Sequence, residues 1–191
     1  LNSVARAVDS HLENLRITEA ARELADFVDD LSNWYVRRDR ERYWGSEMTA
    51  DKEAAYMTLY TVLSTFAKLT APFVPFMSEA VYQNIVRPFF AQAPVSVHLC
   101  DFPACDESFI DEQMEKDMQK VLDVVVLGRA SRAASSLKNR QPLLALYVTC
   151  DELPKEYCRI IAEELNVKDV RFTDDASAYT TYNVKPQLRT L

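Results

Sequence analysis

Glycine is nearly absent from this sequence, which holds only Gly45 and Gly128 among its 191 residues. Loops that wrap phosphate groups and tight hairpin turns both depend on glycine, because other residues rarely adopt the backbone conformations that these structures need. Neither G-x-x-x-x-G-K nor G-x-G-x-x-G occurs in the chain, which excludes the usual nucleotide-binding loops. The shortage favours a fold built from long helices.

Residues typical of catalytic and metal centres are also scarce. The two histidines, His11 and His98, belong to no recognisable motif with a nucleophilic serine or cysteine. The four cysteines form no C-x-x-C pair, which argues against structural zinc and favours free thiols in a reducing cytoplasm. No apolar run reaches the roughly 18 residues that a membrane span needs. The sequence therefore predicts a chain without catalytic machinery, metal site or membrane association of its own.

Apolar residues at helical spacing predict a mainly α fold. The pattern indicates helices at the N-terminus, over 18–44, over 51–71, from Pro75 through Ile85 and from Ile110 onward. We expect these helices to form an up-and-down bundle, interrupted by a crossing loop over 88–103 in which VSVHL is briefly extended. After Pro142 the pattern predicts a small α/β unit, with strands at 143–149, 169–172 and 179–184 and a helix at 154–165.

The expected domains are a helical bundle over 1–142 and a small, truncated C-terminal α/β unit over 143–191. The chain starts within an apolar helical pattern and has no initiator methionine. We therefore expect it to be a piece excised from a longer chain.

Two of the predicted helices change their inner face from apolar to basic near their ends. Arg38 and Arg42 continue the apolar stripe of the second helix, and Arg129, Arg132 and Arg140 continue that of the fifth. A buried, unpaired arginine is strongly unfavourable. These side chains must therefore pair with acids or face water or an anion, and the sequence from Val124 to Cys150 contains no acid.

A second strip lies opposite the apolar stripe of the second helix. It consists of Asn33, Arg37, Arg40 and Trp44, provided that the helix stays regular that far. Arginine beside an exposed aromatic ring suits RNA, because guanidinium groups pair with phosphate and aromatic rings stack on unpaired bases. The alternative is a solvated helix face, interrupted by Asp39 and Glu41, with Trp44 docked against a neighbouring helix.

Several strings closely resemble one family. The string DDLSNWYVRRDRERYW (29–44) resembles the start of the anticodon-binding helical bundle of the isoleucyl-tRNA synthetases, which are class I aminoacyl-tRNA synthetases. The strings at 58–84, 96–103 and 127–143 resemble the next two helices, the crossing loop and the final helix of that bundle, and 174–191 resembles part of a small C-terminal unit. Valyl and leucyl enzymes share the bundle, but N-W-Y-V-R-R favours the isoleucyl branch.

The resemblance implies a tRNA-recognition fragment that holds the anticodon region of tRNA(Ile). In the family, catalytic and editing domains of the same polypeptide do the chemistry, which joins isoleucine to tRNA using ATP with magnesium. The H-I-G-H-like and K-M-S-K-S-like signatures of that chemistry do not occur here, so we expect this chain to be inactive by itself and to need no cofactor. We also expect a cytoplasmic monomer.

Residue by residue, the family strings and the arginine pattern together give the candidate tRNA-binding set. It consists of Asn33, Arg37, Arg40, Trp44, Arg129, Arg132, Lys138, Arg140 and Gln141. Trp34 is expected to pack inside. Where the family often has a more basic run, this sequence has Asp39 and Glu41, which shifts weight toward the segment from Arg129 to Arg140.

Two hypotheses follow from these patterns. The first is a tRNA-binding module whose affinity in isolation is weak, because binding in the intact enzyme is shared with other domains. The second is a helical strut that docks the catalytic body to further C-terminal parts, with its arginines in intramolecular ion pairs. Arginines that face solvent favour the first hypothesis, and arginines paired with Asp or Glu favour the second.

Overall fold

The computed structural model describes residues 1–175, Ser177 and Tyr179. Within that part the α-helices are α1 (Asn2–Glu13), α2 (Ile17–Asp30), α3 (Arg40–Trp44), α4 (Ala50–Thr70), α5 (Pro75–Ile85), α6 (Glu112–Ala134) and α7 (Lys155–Leu165). Two short strands, β1 (Leu146–Val148) and β2 (Val170–Phe172), pair in parallel. The predicted fold class, mainly α with a small α/β unit, is confirmed. The predicted third strand at 179–184 lies outside the described residues apart from Tyr179.

By packing, the chain divides into two compact units, Leu1–Ile110 and Asp111–Leu191. Helix α6 belongs to the second unit, where it packs against α7. The sequence pattern instead assigned this helix to the bundle and placed a domain boundary after residue 142. The boundary after residue 142 stays a prediction.

In the first unit, α1 and α2 are amphipathic helices whose apolar faces share one core. Ala5 and Val8 of α1 pack in this core with Ala20 and Leu24 of α2 and with Leu69 of α4. The spacings of three and four residues place each pair of apolar side chains on one helix face. Burial of these faces is what holds the helices together.

The ends of α4 and α5 follow ordinary capping chemistry. The Thr49 hydroxyl accepts a hydrogen bond from the Lys52 amide at 3.2 Å and caps the start of α4. Pro75 begins α5, where its missing N–H has no helical partner to lose. The Thr70 and Ser78 hydroxyls, 2.9 Å apart, join the two helices inside the core. The predicted start of the fourth helix is thereby confirmed.

The crossing loop after α5 is fixed by polar side chains of that helix. The Tyr82 hydroxyl donates to the Pro94 carbonyl at 2.9 Å, and the Glu79 carboxylate accepts from the Ser96 hydroxyl and the Val97 amide, each at 2.9 Å. The segment VSVHL was expected to be extended. Residues Val97–Leu99 instead form a single 3-10 turn, because these contacts pull the chain back against α5.

The single long helix expected over 18–44 is wrong. Helix α2 begins at Ile17 and ends at Asp30, a π-helical turn follows over Leu31–Val36, and α3 is separate. The chain leaves helical geometry at Asp39, whose φ and ψ are −83° and 5°. Helix α3 then packs against α4, with the rings of Tyr43 and Tyr56 5.4 Å apart. The predicted stop at Gly45 is confirmed.

In the second unit, α6 and α7 pack face to face and the two strands flank α7 in sequence. The Asp111 carboxylate accepts from the Met114 amide at 2.9 Å and caps α6. Val121 and Val125 of α6 and Ile161 and Leu165 of α7 are buried. The strand register pairs residues 146–148 with 170–172, so the predicted strand, helix and strand of this unit are confirmed with shorter bounds.

Candidate nucleic-acid interface

The π-helical turn over Leu31–Val36 changes which side chains share a face. A π turn holds about one residue more than an α turn, so residues after it are rotated by roughly 100° relative to a regular helix. The strip formed by Asn33, Arg37, Arg40 and Trp44 depended on a regular helix, which the π turn and the break at Asp39 interrupt. Two arginine–tryptophan pairs lie along this segment, and one of them includes Trp34, which was not part of the strip.

The first pair lies along the π turn. The Arg37 guanidinium is 5.8 Å from the centre of the Trp34 ring, and its Nε donates to the Asn33 carbonyl at 2.6 Å. Trp34 is half-buried, in keeping with the expectation that it packs inside, whereas Asn33 and Arg37 are exposed. The Arg37 head group is therefore already engaged along its own helix.

The second pair lies on α3 and is far more open. The Arg40 guanidinium is 5.2 Å from the centre of the Trp44 ring, and Trp44 is 76% exposed. This exposure excludes the alternative in which Trp44 docks against a neighbouring helix. An aromatic ring with a cation on one side can stack on an unpaired base with the other.

Arg42 has a structural role. Its guanidinium bonds to the Asp51 carboxylate at 2.8 Å and to the Asp39 carboxylate at 3.1 Å. The hydrogen bonds with Asp51 raise the pKa of Arg42, and the bond from Arg42 lowers the pKa of Asp51. Arg42 thus ties α3 to the first turn of α4, as the strut hypothesis expects of an arginine on this stripe.

Arg129 on α6 also has an acid partner. Its Nη2 lies 2.5 Å from Oε2 of Glu164 on α7. The Arg129 side chain is 42% exposed, while that of Glu164 is only 5% exposed. The sequence between Val124 and Cys150 gives no sign of this partner, because Glu164 lies 35 residues after Arg129. Arg129 therefore contributes to the packing of α6 on α7, and only part of its charge is available to an anion.

Arg132, in the last turn of α6, is buried at 4% exposure. Its Nη2 donates to the carbonyl of Lys138 at 2.6 Å and to the carbonyl of Gln141. A phosphate group cannot reach a guanidinium covered in this way while the loop keeps its arrangement. The structure thus argues against the direct RNA contact that the arginine pattern suggested for Arg132.

Lys138, Arg140 and Gln141 lie on the loop that follows α6, and all three are exposed. None of the three side chains has a hydrogen-bond or ion-pair partner within the described part of the chain, although the carbonyls of Lys138 and Gln141 are bound by Arg132. Two cations and an amide are therefore presented to solvent on a loop whose backbone is held from inside. Of the predicted residues in this unit, these three fit an anion-binding surface best.

The end of α6 is closed by backbone bonds that need one residue in left-handed geometry. The Leu137 amide donates to the Arg132 carbonyl at 2.8 Å and the Ser136 amide to the Ala133 carbonyl at 3.0 Å. Ser136 is the residue in left-handed geometry, with φ of 57°. This bond pattern usually takes glycine at that position. Sequence reasoning had no signal for the turn, because serine replaces the expected glycine.

Asn166 adds a support to the loop that sequence reasoning also missed. This residue ends α7 with φ of 50°, and its side-chain amide donates to the Asn139 carbonyl at 3.1 Å. Asparagine after a predicted helix does indicate a left-handed cap, but the bond to Asn139 spans 27 residues. Only the fold brings the two together.

The described residues hold no group of three or more His, Cys, Asp or Glu side chains that could bind a metal ion. Among the same residues, no helix is long and apolar enough to cross a membrane. The four cysteines are free and half-buried, and burial raises the pKa of the Cys150 and Cys158 thiols. Raised thiol pKa values make these cysteines poor nucleophiles.

Comparison with known proteins gives a consistent result. Residues 1–148 match the family described as the anticodon-binding domain of tRNA ligase. Over its whole length the chain is 47% identical to an isoleucine–tRNA ligase of Clostridium tetani, 50% to one of Clostridium novyi and 45% to one of Thermus thermophilus. It spans only 18%, 18% and 19% of these relatives, respectively.

Proposed function

Because the chain belongs to the anticodon-binding domain family of tRNA ligases, we propose that it holds the anticodon region of tRNA(Ile) while the catalytic part of a larger isoleucine–tRNA ligase joins isoleucine to tRNA. The specificity for tRNA(Ile) is supported by similarity over the full chain to isoleucine–tRNA ligases. The isoleucyl branch was also favoured by the string N-W-Y-V-R-R at 33–38.

The observation that carries this proposal is the solvent-facing group of Lys138, Arg140 and Gln141 on a braced loop. Arginine and lysine neutralise phosphates, and an amide side chain donates to and accepts from the edges of unpaired bases. On the first unit, the exposed Arg40–Trp44 pair offers an aromatic ring on which an unpaired base can stack. Asn33, Arg37 and Arg129 are kept as weaker candidates, since Arg37 and Arg129 are already engaged within the protein.

The strut hypothesis is favoured by other arginines of the same stripes. Arg42 bonds to two carboxylates and Arg129 to one. These ion pairs hold helices together within each unit. The two hypotheses therefore apply to different residues, and an RNA-binding test must target side chains that serve no internal contact.

The proposal assigns no step of the chemistry to this chain. ATP, magnesium, the catalytic domain and the editing domain belong to the larger enzyme, and we expect no aminoacylation from this chain alone. A cytoplasmic location and a monomeric state are part of the proposal for the larger enzyme. No residue described here is assigned to ATP or to a metal.

The test is a titration with tRNA(Ile) at two salt concentrations. The double variant Lys138→Ala/Arg140→Ala removes the two exposed cations, and the matched control, Arg22→Ala/Lys155→Ala, removes two other exposed cations of the chain. Each lost phosphate contact should lower the log–log salt slope by roughly 0.7, so the first variant should lose about 1.4 and the control nothing. Equal slopes for both variants would overturn the assignment to this loop.

A further inference from the structure

The buried guanidinium of Arg132 is the most unusual feature of the second unit. Arginine is rarely buried unless all its donors are satisfied. Here Nη2 binds the carbonyls of Lys138 and Gln141, while Nε and Nη1 have no partner among the residues that the structure describes. An incompletely satisfied buried charge works against folding stability, so stability alone does not explain the residue.

What the residue does is visible in the loop that it binds. The carbonyls of Lys138 and Gln141 both accept hydrogen bonds from Nη2 of Arg132. These bonds close residues 138–141 into a short arch. The Gln141 amide donates to the Lys138 carbonyl at 3.0 Å, and Asn166 holds the intervening Asn139 carbonyl. With these carbonyls held from inside, the exposed side chains of the arch have a fixed base.

Arginine is suited to this position for a geometric reason. One guanidinium nitrogen carries two hydrogens in a fixed plane, so it can bind two carbonyls and set the distance between them. A lysine ammonium has three donors but rotates freely on a flexible chain, and it imposes less order. The chemistry therefore selects arginine for shaping the loop rather than for its charge.

We infer that Arg132 is a positioning residue: it holds the arch so that Lys138, Arg140 and Gln141 are arranged to meet tRNA, and it does not touch the RNA itself. This inference rests on the proposed function. It goes beyond that function because Arg132 would support tRNA binding by shaping the loop, without contacting a phosphate.

The first experiment measures the arch without RNA. Trypsin cleaves after Lys138 and Arg140 only if the arch opens, because a protease needs an extended segment. In the intact chain, Arg132→Gln should speed cleavage at these two sites about tenfold or more, since it removes hydrogen bonds from a charged donor. Arg132→Lys keeps the charge and should fall between Arg132→Gln and wild type. The circular-dichroism spectrum of each variant checks that the helices persist.

The second experiment is a double-mutant cycle in tRNA(Ile) binding. Arg132→Gln should weaken binding about five- to tenfold and leave the salt slope unchanged, because no phosphate contact is lost. In the Lys138→Ala/Arg140→Ala background the same change should have a much smaller effect, since only Gln141 remains of the three residues through which Arg132 acts. Arg132→Lys should restore part of the affinity.

The possible outcomes separate this inference from the function on which it rests. A lower salt slope for Arg132→Gln, with losses that add to those of Lys138→Ala/Arg140→Ala, would show a direct RNA contact and overturn the inference. Unchanged cleavage and unchanged binding would also overturn it and leave the proposed function intact. If the wild-type chain binds no tRNA, the proposed function fails first, and the inference fails with it.

Discussion

Replacing Gly128 with alanine tests a close contact between α6 and α7. A Cβ atom at Gly128 would lie 2.4 Å from Cδ1 and 3.0 Å from Cδ2 of Leu165. Leu165 is 1% exposed, so its side chain lies within the packed contact between the two helices and not at the surface. The new methyl group must therefore push the two helices apart or force Leu165 out of its rotamer.

Two effects of opposite sign compete in this substitution. Alanine is more favourable than glycine inside a helix by about 1 kcal/mol, which stabilises the variant. Overpacking of a dense core costs about 1–3 kcal/mol, which destabilises it. Because the contact is far shorter than any real Cβ contact, we expect overpacking to win and the free energy of unfolding to fall by about 1 kcal/mol.

Gly45 provides the control, since it is the second of the chain's two glycines. A Cβ atom there would meet only the Glu41 carbonyl oxygen, at 3.9 Å, and its φ of −51° suits any residue. Gly45→Ala should therefore leave stability unchanged or raise it by up to about 1 kcal/mol, because it restricts the unfolded chain. The same chemical change should thus have opposite effects at the two positions.

The assay is urea unfolding of each variant, followed by far-ultraviolet circular dichroism, which reports the helix content. Each unfolding curve is checked for a single transition, since only a two-state transition gives a defined free energy of unfolding. A second check is the double variant Gly128→Ala/Leu165→Ala. Removing the isopropyl group of Leu165 relieves the clash, so the double variant should be more stable than the sum of the single effects predicts, by about 1 kcal/mol. A Gly128→Ala variant more stable than wild type would refute the reasoning.

Three further predictions concern stability. Ser136→Gly should raise the free energy of unfolding by about 0.5–1 kcal/mol, because φ at this position is 57° and glycine adopts left-handed geometry without strain; a lower urea midpoint would contradict this. Arg129→Ala should lower it by about 1–3 kcal/mol, since it removes the ion-pair partner of a nearly buried Glu164, whereas replacement of exposed Arg22 should not. The Asp51 carboxylate has a pKa lowered below its ordinary 3.8, so its stabilising effect is present above that value and is lost as the pH falls through the lower, folded-state pKa. Between about pH 5 and pH 2 the free energy of unfolding should therefore fall less in Asp51→Asn than in wild type. Identical acid unfolding curves would contradict the stabilising role of the Arg42–Asp51 ion pair.

Much of the fold could be predicted because its signals are local. Pro75 at the start of α5, Gly45 at the end of α3 and the apolar spacing of α1 each act within a few residues. The π turn over Leu31–Val36 could not be predicted, because the apolar stripe of this helix ends at Tyr35 and no later apolar residue reveals the change of phase. The expected basic strip thereby loses the regular helix on which it depended.

The residues of the candidate site could be predicted from the sequence, but the contacts that each of them makes could not. The helical period correctly showed that Arg129 and Arg132 continue the apolar face of α6, and hence that both need partners. The partners come from Glu164 and from backbone carbonyls, which a count of nearby acids cannot reveal. Exposure alone separates Lys138 and Arg140 from Arg132, and exposure depends on how the loop folds back.

The scarcity of glycine had an effect that the sequence did not show. Scarce glycine leaves few positions suited to tight hairpins, yet α1, α6 and α7 are each followed by a residue at positive φ, namely Leu15, Ser136 and Asn166. Each is closed by the same pair of backbone hydrogen bonds. These bonds offset the backbone strain, so the helix ends form without glycine.

Competition between RNA fragments tests the central claim most directly. The chain is first bound to labelled tRNA(Ile) at low salt, and unlabelled fragments of the same tRNA are then added. We expect an anticodon stem–loop to displace the labelled tRNA at a concentration similar to that of full-length tRNA, and an acceptor-stem minihelix of equal charge to displace it much less. Equal displacement by the two fragments would show only general attraction to phosphate, and displacement by the acceptor stem alone would contradict the account.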